Sequence, residues 1–487
     1  MACHPCLDGL AVVEFVASFA SNFCVMAMSN SKQASEWTVR AQRRSLLMRI
    51  HFWSALIASP FALIAAVTGL IYVFVPQVEQ VLHGHLDSVA PTAQVRSLDE
   101  SIHAAKMAAP EGWTLHSVVP MHAPTDSTRV AFMAPPAEHK KDSGGHGSHG
   151  SGTSSAAKDK AEFLRPNFGI PIKAVVVYVN PYTADVLGSL PQSERFSNWS
   201  RTLHSSYLQN DSWRWLIELA ASWLMVMLVT GLYLWWPRTP QPFVPQAKVK
   251  GRASWMQWHT FIGVSLSLMS AVILTTGLTW SKQAGDQIRW ARDIAGQASP
   301  RIPATFKSNP TDDAHVLSWE DAMQAVRRES PDVQMQLMPP KGVEGYWRAN
   351  QLDGHQPDRR FDLLIDAYSG ERLYFSGWAE QTAFGKATAI GIPFHRGEFG
   401  VWNQALLFVF GVGVVFSIVS GWTMYFQRRS QGLRGMPAVM KGAWKSVPWG
   451  AWLGGAFMLV AMPLLAISAA AVLLIEGVIA FKYRSAH

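Results

Sequence analysis

The chain has 487 residues, of which 49% are hydrophobic and 21 are tryptophan. It is therefore too long for one ordinary core and has the composition of a membrane protein. Its formal net charge is +8, but the basic residues gather beside apolar segments. The charge thus reflects membrane topology, and we expect the lipid bilayer as a partner and no nucleic acid.

Five apolar segments are long enough to cross a bilayer, which takes about 20 residues of helix. They follow an N-terminal extension of uncertain role, residues 1–42, which contains the only cysteines, Cys3, Cys6 and Cys24. The predicted spans are 43–76, 213–236, 255–280, 400–426 and 449–480, and the connections between them are 77–212, 237–254, 281–399 and 427–448.

The distribution of charge predicts how the chain is oriented. The two short connections carry four and five Lys or Arg residues and no acid, whereas the two long ones hold 29 of the 34 carboxylates. Positive charge beside a span marks the cytoplasmic side. We therefore expect a cytoplasmic N-terminus, short connections inside, long connections outside, and a C-terminus outside after the fifth span.

Each long connection has the pattern of a small α+β domain. A helical stretch, LDESIHAAKMAA or LSWEDAMQAVRRES, precedes segments of alternating β-branched and aromatic residues. The turns NPYTADVLG and DAYSGERLY match in form. This pattern predicts an antiparallel sheet behind one helix in each domain.

A Gly-, Ser-, Lys- and His-rich tract at residues 137–160 interrupts the first of these domains. Such a composition cannot bury a core, so we expect a disordered, solvated insert. Loose metal binding by His139, His146 and His149 is the alternative.

A duplication links the first and third spans. RIHFW around His51 is matched, 208 residues later, by WHTFI around His259, and each histidine is followed after eighteen residues by the glycine of a Thr-Gly-Leu, Gly69 or Gly277. An ionisable side chain in a membrane span is costly and by default predicts a functional site. Two histidines at matching positions strengthen that prediction.

The second and fourth spans continue the duplication. VTGLYLWWPR and VSGWTMYFQR share the register of Gly231 and Gly421, and a further histidine precedes each glycine, His204 by 27 residues and His395 by 26. Each unit is thus span, outside domain, histidine, span. Because both units start from the cytoplasm, they predict a parallel internal repeat about an axis along the membrane normal.

Together these motifs resemble the PepSY-associated transmembrane proteins, which include siderophore-iron reductases of the bacterial inner membrane. The resemblance rests on RIHFW, LHSSYL, WHTFIG, IPFHRGEFG, the glycine segments and the two turns, and it covers residues 43–430. It implies an α-helical integral membrane protein with about five spans and two PepSY-like α+β domains, located in the inner membrane as a multi-pass protein.

The predicted topology groups the histidines into two pairs. His51 and His259, here called the span pair, lie near the cytoplasmic ends of their spans, whereas His204 and His395, the flanking pair, lie just before theirs on the outer side. Two neutral imidazoles that face each other across a helical bundle form a bis-histidine site for haem b. We therefore expect two haem b groups with these four axial ligands, their irons separated by roughly 20 Å.

Other interpretations of the histidines are open at this stage. Each imidazole could cap or hydrogen-bond a helix end, and a bare metal site is a further alternative, although acidic or cysteine partners are lacking at membrane depth. His83 or His85 could replace a ligand of the flanking pair, but neither has a counterpart 208 residues later. Arg396 and Glu398, beside His395, could orient a haem propionate, a substrate or merely a solvated turn.

Two haems at two depths predict electron transfer across the membrane. The short cytoplasmic connections carry no nucleotide-binding fingerprint, so the donor must be another molecule, a flavoprotein reductase or quinol. The family resemblance implies that a ferric siderophore is the periplasmic electron acceptor and that its iron is released as Fe(II). The protein would then be a ferric-chelate reductase. The alternatives are a non-enzymatic PepSY-type protein that binds ligands or regulates peptidases and, more weakly supported, a transporter.

Overall fold

The computed structural model describes residues 8–135, 169–209, 211–236, 243–310, 315–352, 354–428 and 436–484, with side chains between residues 36 and 481 of these ranges. The side chains of all three cysteines and the insert at 137–160 lie outside the described residues. The chain divides into two compact units. The first comprises residues 1–62, 219–271 and 416–487, and the second comprises 63–218 and 272–415.

The described chain is mainly helical. In chain order its α-helices are α1 (Asp8–Val73), α2 (Val75–Asp87), α3 (Leu98–Met107), α4 (Phe196–Ser206), α5 (Trp215–Trp235), α6 (Arg252–Ser265), α7 (Ser267–Leu278), α8 (Gln283–Ile294), α9 (Trp319–Glu329), α10 (Ala383–Arg396), α11 (Val401–Phe426), α12 (Trp449–Ala461) and α13 (Pro463–Arg484).

The long apolar helices make this a multi-pass membrane protein. Among the described residues, four segments are long and apolar enough to cross a bilayer, namely Glu36–Val73, Asp211–Trp235, Val401–Phe426 and Pro463–Phe481. Helices α6 and α7 are together long and apolar enough to cross a bilayer, although the chain bends by 58° between them. With that bent pair counted as one span, the predicted number of five holds.

The fifth predicted span, 449–480, is divided in the structure. Helix α12 ends at Ala461, Met462 has φ −129° and ψ 84°, and α13 starts at Pro463. Proline lacks the N–H that would continue the helix, which explains the break. The 13 residues of α12 rise about 20 Å, less than the hydrocarbon core, so α13 alone has the length of a span.

Contacts within the first unit correct the predicted side of the C-terminus. Ser468, near the start of α13, accepts a hydrogen bond from Trp223 of α5 at 2.9 Å, and Glu476, two turns later, pairs with Arg49 of α1. Helix α13 therefore runs toward the end of α1 that precedes Arg49. The end of α13 lies on the same side as that part of α1, so the prediction of opposite sides was wrong.

The eight strands among the described residues of the second unit form a single antiparallel sheet. They are β1 (Thr114–Val119), β2 (Thr128–Met133), β3 (Val175–Val179), β4 (Val186–Pro191), β5 (Met335–Met338), β6 (Tyr346–Gln351), β7 (Asp362–Asp366) and β8 (Arg372–Ser376). Their order is β4-β3-β2-β1-β5-β6-β7-β8. Strands β1 and β5 meet at the centre, with Val118 opposite Leu337, and the order outward from this seam is the same on both sides.

One sheet stands where two separate domains with a sheet each were expected. The edge strand of each predicted sheet is used to pair with the other, and α3 and α9 pack on a shared core. The helices also cap one another. Asp99 accepts hydrogen bonds from the backbone N–H groups of Trp319 and Glu320, while the Glu320 carboxylate accepts one from the N–H of Leu98 at 3.0 Å.

Candidate functional site

The span pair lies in the first unit, on α1 and α6. The Nδ1 atom of His51 is 3.0 Å from the hydroxyl of Thr230 on α5. The Nδ1 atom of His259 is 2.9 Å from the hydroxyl of Ser420 on α11 and 3.0 Å from the carbonyl of Ser417. Each ring is thus held by a hydroxyl group on a neighbouring helix.

The flanking pair has the same arrangement in the second unit. The Nδ1 atom of His204, on α4, is 3.0 Å from the hydroxyl of Thr68 on α1, and that of His395, on α10, is 2.8 Å from the hydroxyl of Thr276 on α7. All four histidines are therefore fixed through the same ring nitrogen by a Thr or Ser side chain.

The hydroxyl groups determine the tautomer of each ring. The hydroxyls of Thr68, Thr230 and Thr276 each donate their one proton to the carbonyl four residues earlier at 2.8 Å, and Ser420 donates its proton to the carbonyl of Ser417. Toward the imidazoles these oxygens can only accept. Nδ1 therefore carries the proton in all four histidines, and Nε2 carries the lone pair.

The Nε2 nitrogens have the properties of metal ligands. Within the described chain, none of the four makes a hydrogen bond. In the flanking pair, burial lowers the pKa of His204, and burial together with the charge of His204 lowers the pKa of His395 to about 4. Both rings are then neutral at neutral pH, as metal ligation through Nε2 requires.

Four glycines noted in the sequence let the rings approach the neighbouring helices. A Cβ added at Gly231 would lie 3.3 Å from Cε1 of His51, and one at Gly421 would lie 3.7 Å from Cε1 of His259. The flanking pair repeats this, with 3.5 Å from Gly69 to His204. Gly277 has the same relation to His395, also at 3.5 Å.

The two members of each pair are close enough for their charges to interact. The rings of His51 and His259 lie within electrostatic range of each other, as do those of His204 and His395. His83, one of the alternative ligands, lies 3.9 Å from the carboxylate of Glu79.

That carboxylate helps to place the helix that carries His204. Glu79 accepts hydrogen bonds from the backbone N–H of Ser197, in the first turn of α4, at 2.8 Å and from Arg195 at 2.9 Å. Arg195 also donates to Asp87 at 2.7 Å. Burial disfavours the charge of Arg195, but these carboxylates outweigh burial and raise its pKa.

The donor set is compatible with the iron of a haem. Among the described residues, no group of three or more His, Cys, Asp or Glu side chains could hold a metal ion. A haem iron needs only two axial ligands from the protein, because the porphyrin supplies the others. Two imidazoles with free Nε2 atoms, each held through Nδ1, meet that requirement.

Sequence reasoning missed the four hydroxyl residues that hold the rings. Their signal was present, because Thr68, Thr230, Thr276 and Ser420 each directly precede one of the four glycines. Trp53, two residues after His51, donates its indole N–H to Glu476.

Comparison with known proteins agrees with these features. No curated protein matches the chain. The family model of the PepSY-associated TM region matches residues 48–428, which include all four histidines and their hydroxyl and glycine partners but neither α12 nor α13. Because that match covers well over half of its length, the chain belongs to the family of proteins with a PepSY-associated transmembrane region.

Proposed function

We propose that the protein is a dihaem b oxidoreductase of the bacterial inner membrane, with His51 and His259 as the axial ligands of one haem and His204 and His395 as those of the other. One observation carries the proposal. The Nδ1 atom of all four rings lies 2.8–3.0 Å from a Thr or Ser hydroxyl, and the four Nε2 atoms, which make no hydrogen bond within the described chain, fall into two pairs. A helix-capping or hydrogen-bonding role accounts for Nδ1 alone and gives no reason for the matched Nε2 atoms.

A parallel internal repeat underlies this proposal. The contact of His51 with Thr230 and Gly231 has its counterpart in the contact of His259 with Ser420 and Gly421. Two features of the sheet domain support the same repeat. The strand order is the same on both sides of the seam, and α3 and α9 each accept hydrogen bonds from the N-terminus of the other. Each repeat thus contributes one histidine, with its hydroxyl and glycine, to each pair.

The reaction that we propose is reduction of a ferric siderophore in the periplasm. Bound haem supplies a one-electron carrier that alternates between Fe(III) and Fe(II). The electron comes from a cytoplasmic flavoprotein reductase or from quinol and reduces the chelated Fe(III) to Fe(II). Hard hydroxamate or catecholate oxygens hold Fe(II) much less well, so the iron is released.

In this reaction the chain's own residues hold and orient the redox groups. The hydroxyls of Thr68, Thr230, Thr276 and Ser420 fix the ring tautomers and orientations, which makes each Nε2 a better ligand. The apolar spans exclude water. The reduction potential of a buried iron therefore depends on the few charged groups near it. The basic short connections favour a cytoplasmic N-terminus for this arrangement.

Haem content and ligand substitution test the proposal. We expect two haem b per purified chain, and a Soret band with split α and β bands after dithionite reduction. His51→Ala or His259→Ala should each remove one haem with the same spectral component. His204→Ala or His395→Ala should remove the other component.

His103→Ala is the matched control, because His103 is exposed on α3. It should keep both haems. A colourless wild-type protein without a Soret band would reject the proposal and favour a ligand-binding protein. Loss of the same component from a span-pair and a flanking-pair variant would reject the pairing.

A further inference from the structure

A group of cationic and hydroxyl side chains surrounds the flanking pair. Tyr72 lies one turn of α1 after Gly69, which packs against His204, and Arg201 lies one turn of α4 before His204. Arg396 directly follows His395 at the end of α10. Each of these three residues is therefore within one helical turn of a candidate ligand or its glycine.

Contacts within the second unit connect the three residues. The Nε–H group of Arg396 donates a hydrogen bond to the hydroxyl of Tyr72 at 3.1 Å. Arg201 lies within electrostatic range of Tyr72, Arg396 and Arg214. Burial and the two neighbouring guanidinium groups lower the pKa of Arg201, although Tyr72 and Asp211 oppose this.

The acids near this group neutralise it only in part. Glu398 pairs with Nη2 of Arg396 at 2.8 Å, and Asp211 acts on Arg201 from a distance. Arg201 donates to the side-chain oxygen of Asn198 at 3.0 Å and forms no ion pair within the described chain. Three guanidinium groups therefore face two carboxylates, which leaves an excess positive charge beside the flanking pair.

Tyr72 adds a directed donor to that charge. Its hydroxyl oxygen accepts from Arg396, so its own proton is available to an acceptor, and no acceptor for it is present among the described residues. Guanidinium N–H groups and a phenol hydroxyl are donors that suit a carboxylate, which accepts several hydrogen bonds.

We propose that Arg201, Arg396 and Tyr72 form a carboxylate-binding site at the flanking pair. The carboxylates that we expect there are the propionates of a haem held by His204 and His395, because Arg201 and Arg396 lie within one turn of these histidines and Tyr72 lies one turn from Gly69, which packs on His204. This assignment of the source rests on the proposed function. A carboxylate of an incoming ferric chelate has the same chemistry, and the experiment distinguishes the two.

The test is a titration of the full chain, purified from haem-limited cells, with haem and with haem dimethyl ester. It uses wild type and the His259→Ala background, in which the flanking pair is the only complete pair. We expect the ester to bind to the flanking pair about tenfold more weakly than haem, as the loss of a charge-assisted hydrogen bond predicts. We expect three variants to lower the affinity for haem by a comparable factor and to leave the binding of the ester unchanged: Arg201→Gln, Arg396→Gln and Tyr72→Phe.

Two further readouts complete the test. The midpoint potential of the flanking-pair haem should fall in Arg396→Gln, because a nearby cation favours the reduced, more negative state. Arg372→Gln, which removes an exposed arginine paired with Glu329 on the sheet, should change neither affinity nor potential.

The possible results separate this inference from the proposed function. If the three variants bind haem as wild type does, or weaken haem and ester equally, the carboxylate site is rejected while a dihaem protein remains. A second result is that the ester binds as well as haem but the variants bind ferric citrate more weakly, as measured by tryptophan quenching. The carboxylate site is then confirmed, and the carboxylate that it binds belongs to the ferric chelate. If wild type binds no haem, the proposed function fails, and the citrate titration alone decides whether the carboxylate site exists.

Discussion

Arg49 and Glu476, separated by 427 residues in sequence, form a two-point ion pair between α1 and α13. Nε of Arg49 lies 2.6 Å from one carboxylate oxygen and Nη2 lies 3.0 Å from the other. The third guanidinium nitrogen donates to the carbonyl of Pro437 at 3.0 Å, and only 7% of Arg49 is exposed. The last helix, which lies outside the family match, is thus bound to the first by a buried charge.

Breaking this pair should destabilise the first unit. Glu476→Leu leaves Arg49 buried without its partner, which typically costs about 3–5 kcal/mol. Arg49→Met combined with Glu476→Leu should recover most of that loss, because two apolar residues replace both charges. Thermal unfolding followed by tryptophan fluorescence measures both effects. Glu36→Leu, which removes an exposed pair with Arg40, is the control, and an equal loss there would contradict the prediction.

The hydroxyl of Thr230 should control how well His51 binds haem. Thr230→Val keeps the shape but removes the acceptor of Nδ1–H, and loss of such a contact typically weakens metal affinity about 10- to 100-fold. Thr230→Ser should restore affinity. A Soret titration measures it, with Thr423→Val as the control, since that hydroxyl donates only to the carbonyl of Val419. Wild-type affinity in Thr230→Val would refute the positioning role.

The glycines should differ in their tolerance of a methyl group. A Cβ added to Gly231 would lie 3.3 Å from Cε1 of His51, which is closer than ordinary contact. A Cβ added to Gly421 would lie 3.7 Å from Cε1 of His259. We expect Gly231→Ala to displace the ring at a cost of about 1–3 kcal/mol and to reduce haem occupancy. Gly421→Ala should leave haem occupancy unchanged. Gly263→Ala, with open space around its Cβ, is the control, and the reverse order of effects would contradict the geometry.

The stability of the turn before β8 should depend on pH through Asp366. Burial would raise the pKa of Asp366, but hydrogen bonds from the backbone N–H groups of Ser369, Tyr368 and Asn309 outweigh it and lower the pKa below 3.8. The ionised form therefore stabilises the turn above pH 3.8, and this stabilisation is lost as the pH falls through the folded-state pKa.

Hydrogen exchange tests this dependence in the intact protein. The protection factors of the amides of Tyr368 and Ser369 should fall on acidification in wild type and change much less in Asp366→Asn. The turn at Asn180 is a built-in control, since its neutral amide oxygen accepts from the N–H of Tyr182 at 2.9 Å. A parallel fall at Tyr182 would show that the effect is global rather than due to Asp366.

The sequence was sufficient to predict the long helices and to single out the four histidines as candidates, because hydropathy and the spacing of repeated motifs are local signals. It also contained the glycines, but their partners were not evident. Eighteen residues of helix rise about 27 Å, so Gly69 cannot touch His51 on the same helix. It packs instead on His204, a residue of another helix. A repeat reveals which positions are equivalent, and the packing of helices against one another decides which ones meet.

Other features depend on contacts that no local pattern encodes. The pairing of Val118 with Leu337 joins two edge strands whose sequences are each consistent with a separate sheet. The pairing of Glu476 with Arg49 likewise joins two helices that are far apart in the sequence. The pairing decides the direction of α13, which hydropathy leaves open because an apolar helix has the same composition in both directions.

The seam between β1 and β5 has a consequence for biogenesis. Strand β1 ends at Val119 and β5 starts at Met335, so 216 residues separate a strand from its partner. At about 5–20 residues per second, synthesis of that interval takes roughly 10–40 s. During this time the first half of the sheet has an open edge, which can pair with other exposed strands. The edge of β1 is therefore covered only once the second half of the sheet has been made.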